Sequence, residues 1–479
     1  MRSRRGRVGC AVVTLTGCGL LLCSALVASL SRQLWQRGVP RGLTPGADTS
    51  IVAAPLRADG SVDFPAAVGA RRHAAIDPRE NAAATLARIC FAPDEAGAAR
   101  DVWDAFQLEP FSPAERAAAV PGRATLDLRG IWAESRSGGA VARRGDPPWS
   151  EWHDVAWRTV LDRHWRGEPT SAEERRNLFA HVVASSAALD DAVSASRRPH
   201  LSIHTGHYLV DDHDFAMTVE RVVRALLARA AVAHATRDDA ATWRDLLAGL
   251  RLCAGLAAFE SPVEWRLTAS LELLALTAAD VVLATGSRPD AIAGSELLAL
   301  AAPRAVGPRA VAALRSEQLA LLEFLDCDGR VGVDSAFDSL RLARGLGCSD
   351  PAPSGSAGDD SGWRLPRGAV FRGLDPDPIA RRFNRTLHAA CTTIAATPDA
   401  QVDRQLDEQG AALRAGAHGA FASWFSTDAG LSDRFADAMA AFALEAVACA
   451  AKAEAARTTA AAAVVSRLEP ADPPPHPEK

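Results

Sequence analysis

Three consecutive segments between residues 212 and 285 place apolar side chains at helical spacing, with only a few residues between segments. The three apolar sets are Val219, Val222, Val223, Leu226, Leu227 and Ala230; Trp243, Leu246, Leu247, Leu250 and Ala254; and Leu267, Leu271, Leu274, Ala275 and Ala278. Because each set recurs at intervals of three and four residues, each predicts one amphipathic helix. The short connections predict antiparallel neighbours, so we expect 212–285 to form the core.

Charged residues alternate with these apolar positions, and the pattern predicts that they face solvent. They are Glu220, Arg221 and Arg224 in the first segment, and Arg244, Asp245 and Arg251 in the second. Glu220 and Arg224 lie four residues apart, so we expect them to form an ion pair on that face. The third segment opens with Ser261, Pro262 and Glu264, a combination typical of a capped helix start. Its wide apolar stripe predicts contact with more than one neighbouring helix.

Helix patterns recur along the rest of the chain, and no segment shows the alternation of a strand. We expect further helices near 81–89, 171–196, 290–300, 306–325, 376–396, 399–414 and 432–467. Proline and glycine make 31–75 a linker, 348–374 a low-complexity loop and 468–479 a disordered tail. We therefore predict an all-α fold, a multi-helix bundle or irregular helical array. One helical domain would span 76–347, with the helices of 375–467 packed on it.

The amino terminus carries the information on localisation. Residues 1–7 contain four arginines, and residues 8–30 are uncharged and largely apolar. A run of about 23 residues can cross the hydrocarbon core of a bilayer. The arginines before the run outnumber those that follow it closely, which favours a cytoplasmic amino terminus. We expect a transmembrane signal anchor in the cell membrane, single-pass, with the body outside the cytoplasm.

Three alternatives stay open for the same segment. Small residues near Ala28 and Ser29 are compatible with a cleaved signal peptide, although the apolar run is long for one. Leu15 to Cys18 has the Leu-x-Gly-Cys shape of a lipoprotein signal, although apolar sequence continues well past Cys18. A cytoplasmic core helix is the third alternative, and the basic flank argues against it.

Composition limits the classes of partner and of chemistry. The net charge of −5 argues against a general nucleic-acid binder. An extracytoplasmic compartment permits disulfides, and a Cys327–Cys348 bridge is one option. Cysteines on apolar helix faces are more simply buried thiols. The signatures of P-loop proteins, α/β-hydrolases, HExxH zinc proteases and CxxC redox proteins are all missing from the sequence. No catalytic residue is therefore predicted.

The densest group of metal-ligand types lies between residues 200 and 214. The candidate ligands for a zinc-like divalent metal are His200, His204, His207 and Asp211. Pro199 and Gly206 interrupt helical spacing, so these side chains need not share a face. A solvated loop whose Asp211 or Asp212 caps the next helix explains the same residues.

Two further patterns have both a binding interpretation and a structural one. Trp152, Trp157 and Trp165 could stack on sugars of a cell-envelope polysaccharide, but a buried helical stripe accounts for the same spacing. The segment 326–329 partly matches the start of a calcium-binding loop, but the acidic ligands required at the later positions are missing. We expect a helix-ending turn at 326–332.

Four short stretches between residues 60 and 285 carry a likeness to a known family. They are Asp63–Phe64 with Pro78–Ala83, Arg197–Pro199, Arg224–Ala230 and Asp245–Ala248, with a weaker echo at Arg382–Arg385. Together they resemble a family of uncharacterised planctomycete proteins with a short hydrophobic anchor, a P-x-E-N-A-A stretch and a long helical body. The segment 200–214 departs from that pattern, because His and Asp crowd positions expected to be aromatic. The resemblance implies an anchor and a helical fold, and it implies no activity.

The leading hypothesis is a membrane-anchored, extracytoplasmic α-helical protein that acts as a structural or protein-interaction module for an unknown protein partner. One alternative is a metal-binding protein or metal-dependent enzyme that uses the cluster at 200–214. A further alternative is a cell-envelope polysaccharide binder.

Overall fold

The computed structural model describes residues 43–58, 60–64, 66–67, 80–90, 154–175, 186–201, 212–257, 261–327, 376–418 and 428–468. Eleven α-helices have described bounds: α1 Ala82–Cys90, α2 Asp154–Trp165, α3 Ser186–Ala195, α4 Asp212–Ala235, α5 Asp239–Leu256, α6 Pro262–Ala284, α7 Ala291–Ala301, α8 Val306–Cys327, α9 Pro376–Ala395, α10 Val402–His418 and α11 Asp428–Leu468. A short 3-10 helix, Asp399–Gln401, precedes α10. Extended pairing in the described ranges is limited to two isolated bridges, Leu56 with Val62 and Asn81 with His200. The fold is all-α, as predicted.

Helices α4, α5 and α6 occupy the segment predicted to be the core. Arg229 of α4 pairs with Asp245 of α5 through contacts of 2.7 and 2.9 Å. Both residues lie eight positions from Arg237 in the connecting turn, so the two helices are antiparallel. Ser261 caps α6 by accepting a hydrogen bond from the backbone N–H of Glu264 at 3.2 Å. The predicted helices and this cap are confirmed.

Two hydrophobic clusters form the interior of the described body. The first cluster combines residues of α1 to α7 with Ala461 and Val464 near the end of α11. The second combines α8, α9, the start of α10, residues 43–67 and the earlier part of α11, and it also takes in Trp265 of α6. With 41 residues, α11 is about 60 Å long and contributes to both clusters.

Helix α6 is central to both clusters and strongly apolar. Among the described residues it is the one single helix long and apolar enough to cross a membrane, with a mean hydropathy of 1.7. Its neighbours are α2, α4, α5, α8 and α11, and Ala275, Ala279 and Val282 are fully buried. The central helix of a packed body gives the same hydropathy pattern. The predicted anchor at 8–30 lies outside the described residues.

Residues 43–58, 60–64 and 66–67, here called the strap, fasten onto α8 and α9. The backbone N–H of Leu43 donates to Asp326 at 2.8 Å. The Asn384 side chain donates to the carbonyl of Thr49 at 2.8 Å. Phe64 is fully buried in the second cluster. Asp326 lies in the last turn of α8, so the helix runs two residues into the turn predicted at 326–332.

The prediction that the charged residues of α4 and α5 face solvent is wrong for three of the six, whereas Arg244 is exposed as predicted. Glu220, Arg221 and Asp245 are all buried. The reason is that α2 and α3 pack on the side that sequence periodicity marked as polar. The predicted pair of Glu220 with Arg224 does form at 2.9 Å, and Arg224 also reaches Asp162 of α2 at 2.9 Å. Arg224 therefore links α4 to α2, and the ion pair is part of a contact between helices.

Candidate functional site

His200, one of the predicted metal ligands, sits in a backbone junction beside α1. Its carbonyl accepts the N–H of Ala82 at 2.7 Å, and its own N–H donates to the carbonyl of Glu80 at 3.3 Å. Its side chain is exposed. The next residue, Leu201, packs so closely on α5 that a Cβ at Gly255 would lie 2.7 Å from the Leu201 Cβ. This contact fixes where the His-rich segment leaves the body.

The other three predicted ligands, His204, His207 and Asp211, lie outside the described residues. Within the ranges that the structure covers, no three His, Cys, Asp or Glu side chains are placed to hold a metal ion. The metal site stays a prediction. Metal analysis of residues 50–470, with and without His204→Ala and His207→Ala, tests it.

The tryptophans proposed to stack on sugars are only partly described. Trp165 is fully buried in the first cluster, so it cannot stack on a polysaccharide. Its ring lies 4.9 Å from that of His164 and 6.4 Å from that of His234. Burial lowers the pKa of His164, and the neighbouring His234 and Arg175 add to the shift. Trp152 and the side chain of Trp157 lie outside the described residues.

Two of the cysteines confirm the expectation of buried thiols. Cys253 and Cys391 are buried and form no disulfide. Burial raises the pKa of both thiols, and that of Cys253 rises well above its usual range. A thiol that ionises with difficulty is a poor nucleophile and a poor metal ligand. Neither side chain of the Cys327–Cys348 option is described.

Five charged side chains and one tryptophan, which the sequence analysis did not anticipate, lie together where α6, α8 and α11 meet. This group, here called the charge junction, consists of Trp265, Glu272, Arg304, Arg309, Glu454 and Arg457. Glu272, Glu454 and Arg457 are buried, and Arg457 has no exposed surface. Such charges persist in a protein interior only when partners neutralise them.

Arg457 and Arg304 converge on one side of the junction at Glu272. Arg457 Nε donates to Glu272 Oε2 at 2.9 Å, and its two terminal nitrogens donate to the carbonyls of Ala302 and Leu300 at 3.0 and 2.8 Å. Arg304 binds both oxygens of Glu272, at 2.7 and 2.9 Å. This side therefore ties α11 to α6 and to the connection between α7 and α8.

Trp265 and Arg309 converge on the other side at Glu454. The Trp265 indole donates to Glu454 Oε2 at 2.9 Å, and Arg309 Nη1 donates to the same oxygen at 3.0 Å. The guanidinium of Arg309 also lies 5.0 Å from the Trp265 ring centre. Burial lowers the pKa of Arg309 to about 10, against the opposing effect of Glu454. Arg309 is therefore still cationic at neutral pH.

The chemistry of the charge junction is structural. Its carboxylates already accept from arginine or indole donors, and Trp265 belongs to the second cluster while the later residues of α6 belong to the first. The junction thus fixes the two clusters relative to each other. A sequence signal was present, because Glu454 and Arg457 interrupt a run of small apolar residues.

A second feature that sequence analysis missed is the outer surface of α7. Large exposed apolar side chains of the described residues fall in two places, the strap and this helix, where Ile292 is 82% and Leu298 is 41% exposed. We call the surface formed by Ile292, Leu298 and the exposed Ala291 and Ala299 the α7 face. Leu297, on the opposite side, is fully buried in the first cluster.

Three contacts hold α7 in position. Asp290 caps the helix by accepting the Ala293 N–H at 2.8 Å. Glu296 accepts both donors of Arg251 from α5, in a bidentate pair. Arg457 binds the carbonyl of Leu300. The α7 face is therefore presented by a fixed helix.

No protein-family model matches the chain, and no curated protein and no solved structure is similar to it.

Proposed function

We propose that this chain is a membrane-anchored, extracytoplasmic helical scaffold that presents the α7 face to a protein partner. The observation that carries the proposal is Ile292, 82% exposed on a helix that is held by its cap, by an ion pair and by the charge junction. Exposed apolar side chains that lie together mark interaction surfaces more often than isolated ones do.

A fixed helix is a better docking element than a loop with the same side chains. Binding through a loop costs conformational entropy, because the loop must be ordered at the moment of association. The backbone of α7 is already ordered by Asp290, Glu296 and Leu300. Ile292 and the exposed Ala299 lie seven residues apart and therefore share one side of the helix, the spacing used by a helix that lies in an apolar groove of its partner.

The sequence supports the anchor and its orientation. Four arginines precede the apolar run at 8–30, and such a bias favours a cytoplasmic amino terminus. The body would then lie outside the cytoplasm. The described body contributes the strap, which joins the chain that leaves the anchor to α8 and α9.

Site-specific photo-crosslinking in the source cells tests the docking surface. A photoreactive amino acid at Ile292 is expected to give a discrete adduct, whose partner is identified by mass spectrometry. The control is the same amino acid at Ser270, an exposed position of α6. An adduct of twice the chain mass would identify the partner as a second copy. Equal labelling from both positions, or none from Ile292, would overturn the proposed surface.

Membrane fractionation tests the anchor independently. The full chain is expected to resist alkaline carbonate extraction, and a chain that begins at residue 31 is expected to be released. Added protease should degrade the body in spheroplasts without lysis. The mass of the mature amino terminus separates a retained anchor from a cleaved signal peptide or a lipid on Cys18. Release of the full chain by carbonate would refute the anchor.

A further inference from the structure

The strap exposes a short apolar segment close to its beginning. Residues 51–56, here called the strap loop, contain no charged residue. Ile51 is 37% and Leu56 is 51% exposed, and the three residues from Ala53 to Pro55 between them are also exposed. The strap loop therefore exposes five apolar residues out of six, interrupted by the buried Val52.

The outward direction of Ile51 is built into the backbone. Its neighbours Ser50 and Val52 are buried, and the Ser50 hydroxyl donates to the carbonyl of Val52 at 2.6 Å. Ile51 itself has a φ of 62°, a conformation that β-branched residues rarely adopt. Such a conformation persists only where the surrounding structure determines it. The exposure of Ile51 is thus a fixed feature of the strap.

The other end of the strap loop is fixed as well. Leu56 pairs with Val62 in an isolated bridge, and the N–H of Arg57 donates to the carbonyl of Ser61 at 2.7 Å. The N–H of Asp63 donates to the carbonyl of Pro55 at 2.9 Å. The backbone therefore holds Ile51 and Leu56 in place at the two ends of the strap loop.

The position of the strap loop in the sequence keeps it near a bilayer, provided that the proposed anchor is correct. The apolar run ends at Leu30 and the strap begins at Leu43. The intervening chain can span at most about 45 Å when fully extended. Three arginines, Arg32, Arg37 and Arg41, lie in that stretch, and guanidinium groups suit the phosphates of lipid headgroups.

We propose that the strap loop inserts Ile51 and Leu56 into the headgroup region of the bilayer that holds the anchor. Two apolar side chains alone bind a membrane too weakly to retain a free protein. The anchor converts this second contact into an intramolecular step, at an effective concentration in the millimolar range. The contact fixes how the body is oriented on the membrane. This inference rests on the proposed anchor and adds the lipid surface as the ligand of the strap loop.

A lipid surface fits the strap loop better than it fits the α7 face. The strap is tied to Asp326 at the carboxyl end of α8, whereas α7 meets the amino end of α8 at a bend of 64°. The 22 residues of α8 separate the two ends by about 33 Å. In the proposed arrangement α8 stands upright on the bilayer, so Ile292 lies far from the lipid and is a control of equal apolarity and greater exposure.

Depth-dependent fluorescence quenching tests the insertion. The full chain is reconstituted into vesicles of phosphatidylcholine and phosphatidylglycerol, with an environment-sensitive fluorescent amino acid at Ala53 or, as the control, at Ile292. Lipid that carries a nitroxide close to its headgroup is expected to quench the probe at Ala53 about twofold. The probe at Ile292 should be unchanged. The double variant Ile51→Gln and Leu56→Gln should lose the quenching at Ala53 and retain its helical circular dichroism.

Carbonate extraction of the same vesicles separates two kinds of failure. If the chain resists extraction but the probe at Ala53 is not quenched, the strap loop does not insert and the anchor stands. If carbonate releases the chain, the anchor is wrong and this inference is wrong with it. Quenching that survives in the double variant would also overturn the role of Ile51 and Leu56.

Discussion

Arg457 shows at the scale of one residue how this helical body accommodates charge. Its guanidinium has no exposed surface. The guanidinium donates to Glu272 and to two backbone carbonyls, and it lies 3.5 Å from Glu454. Removing this guanidinium would take one cation from each of two buried carboxylates, which keep Arg304 and Arg309, and would take a donor from two buried carbonyls. Such a loss costs more than the ion pairs themselves contribute.

Replacing Arg457 by alanine should lower the free energy of unfolding by about 3–5 kcal/mol, because Glu272 and Glu454 would keep their burial and lose a cation. Urea denaturation followed by circular dichroism measures the change. The matched control is Arg404→Ala, whose side chain is 80% exposed and pairs with Glu408 at 2.8 Å. That exposed pair is screened by water, so the control should unfold at nearly the same urea concentration as the parent. Similar losses in both variants would contradict a special role for the charge junction.

His164 should make the stability of the body depend on pH. Its pKa is lowered by burial, then by His234 and Arg175, from an ordinary value of 6.5. The unfolded chain therefore binds a proton that the folded protein resists, and the free energy of unfolding falls as the pH decreases below about 6.5.

The substitution His164→Gln should flatten this dependence, whereas His388→Gln, at an exposed position, should not. Urea midpoints at about pH 7.5 and about pH 5.5 measure the effect. A variant with the pH dependence of the parent would show that His164 does not cause it.

Apolar periodicity predicted the buried positions of 212–285 well, but it placed three charged residues on the solvent side that are in fact buried. Val223, Leu226 and Leu246 are buried as expected, but so are Glu220 and Asp245. Periodicity identifies the face that must be buried. It cannot show that α2 and α3 come from distant sequence to cover the opposite face, where the charges then have to pair.

At the scale of the element, local chemistry determined where helices start. Ser261, Asp238 and Asp290 each accept an N–H three residues ahead, and helices α6, α5 and α7 begin directly after them. Each cap joins residues only three positions apart, so caps can be predicted from sequence. The α7 face was not predicted, since the exposed positions of an apolar helix depend on which neighbours reach it.

Replacing either of two helical glycines by alanine should change the stability of the protein, in opposite directions. A Cβ at Gly255 of α5 would lie 2.7 Å from the Leu201 Cβ, so Gly255→Ala should destabilise by about 1–3 kcal/mol. At Gly294 of α7 the nearest atom, the Pro289 Cγ, would be 3.7 Å away. Gly294→Ala should therefore stabilise by about 0.5–1 kcal/mol, because alanine favours the helix.

Thermal unfolding of the two alanine variants beside the parent measures both changes. A Gly255→Ala variant that is as stable as the parent, or more stable, would mean that the close approach of Leu201 to α5 is absent in solution. That result would also remove the contact that positions His200.

At the scale of the whole molecule, α11 binds the two hydrophobic clusters into one body. Ala440 and Val447 lie in the second cluster, and Ala461 and Val464 lie in the first. The pairing of Glu272 with Arg457 spans 185 residues of sequence. No local pattern encodes such a separation, which explains why the charge junction could not be predicted although α11 itself was.

Ending the chain after Lys452 should abolish a single cooperative unfolding transition. This truncation removes Glu454, Arg457, Ala461 and Val464, so α6 loses a main neighbour and the carboxylate of Glu272 loses its buried cation. A chain that ends after Leu468 is the control and should unfold within about 2 °C of the parent, because it keeps every described contact of α11. A single cooperative transition in the shorter chain would show that the two clusters stay coupled without the end of α11.

The length of α11 determines how far the α7 face lies from the strap. Met439 packs in the same cluster as the strap, whereas the carbonyl of Arg467 accepts a hydrogen bond from Arg288, just before α7. The helix between these two points measures roughly 40 Å. With the strap loop at the lipid surface, Ile292 can be lifted by as much as this distance above the headgroups. In that arrangement a protein that lies flat on the membrane would pass beneath Ile292, and the partner proposed for the α7 face would have to reach that height or diffuse freely.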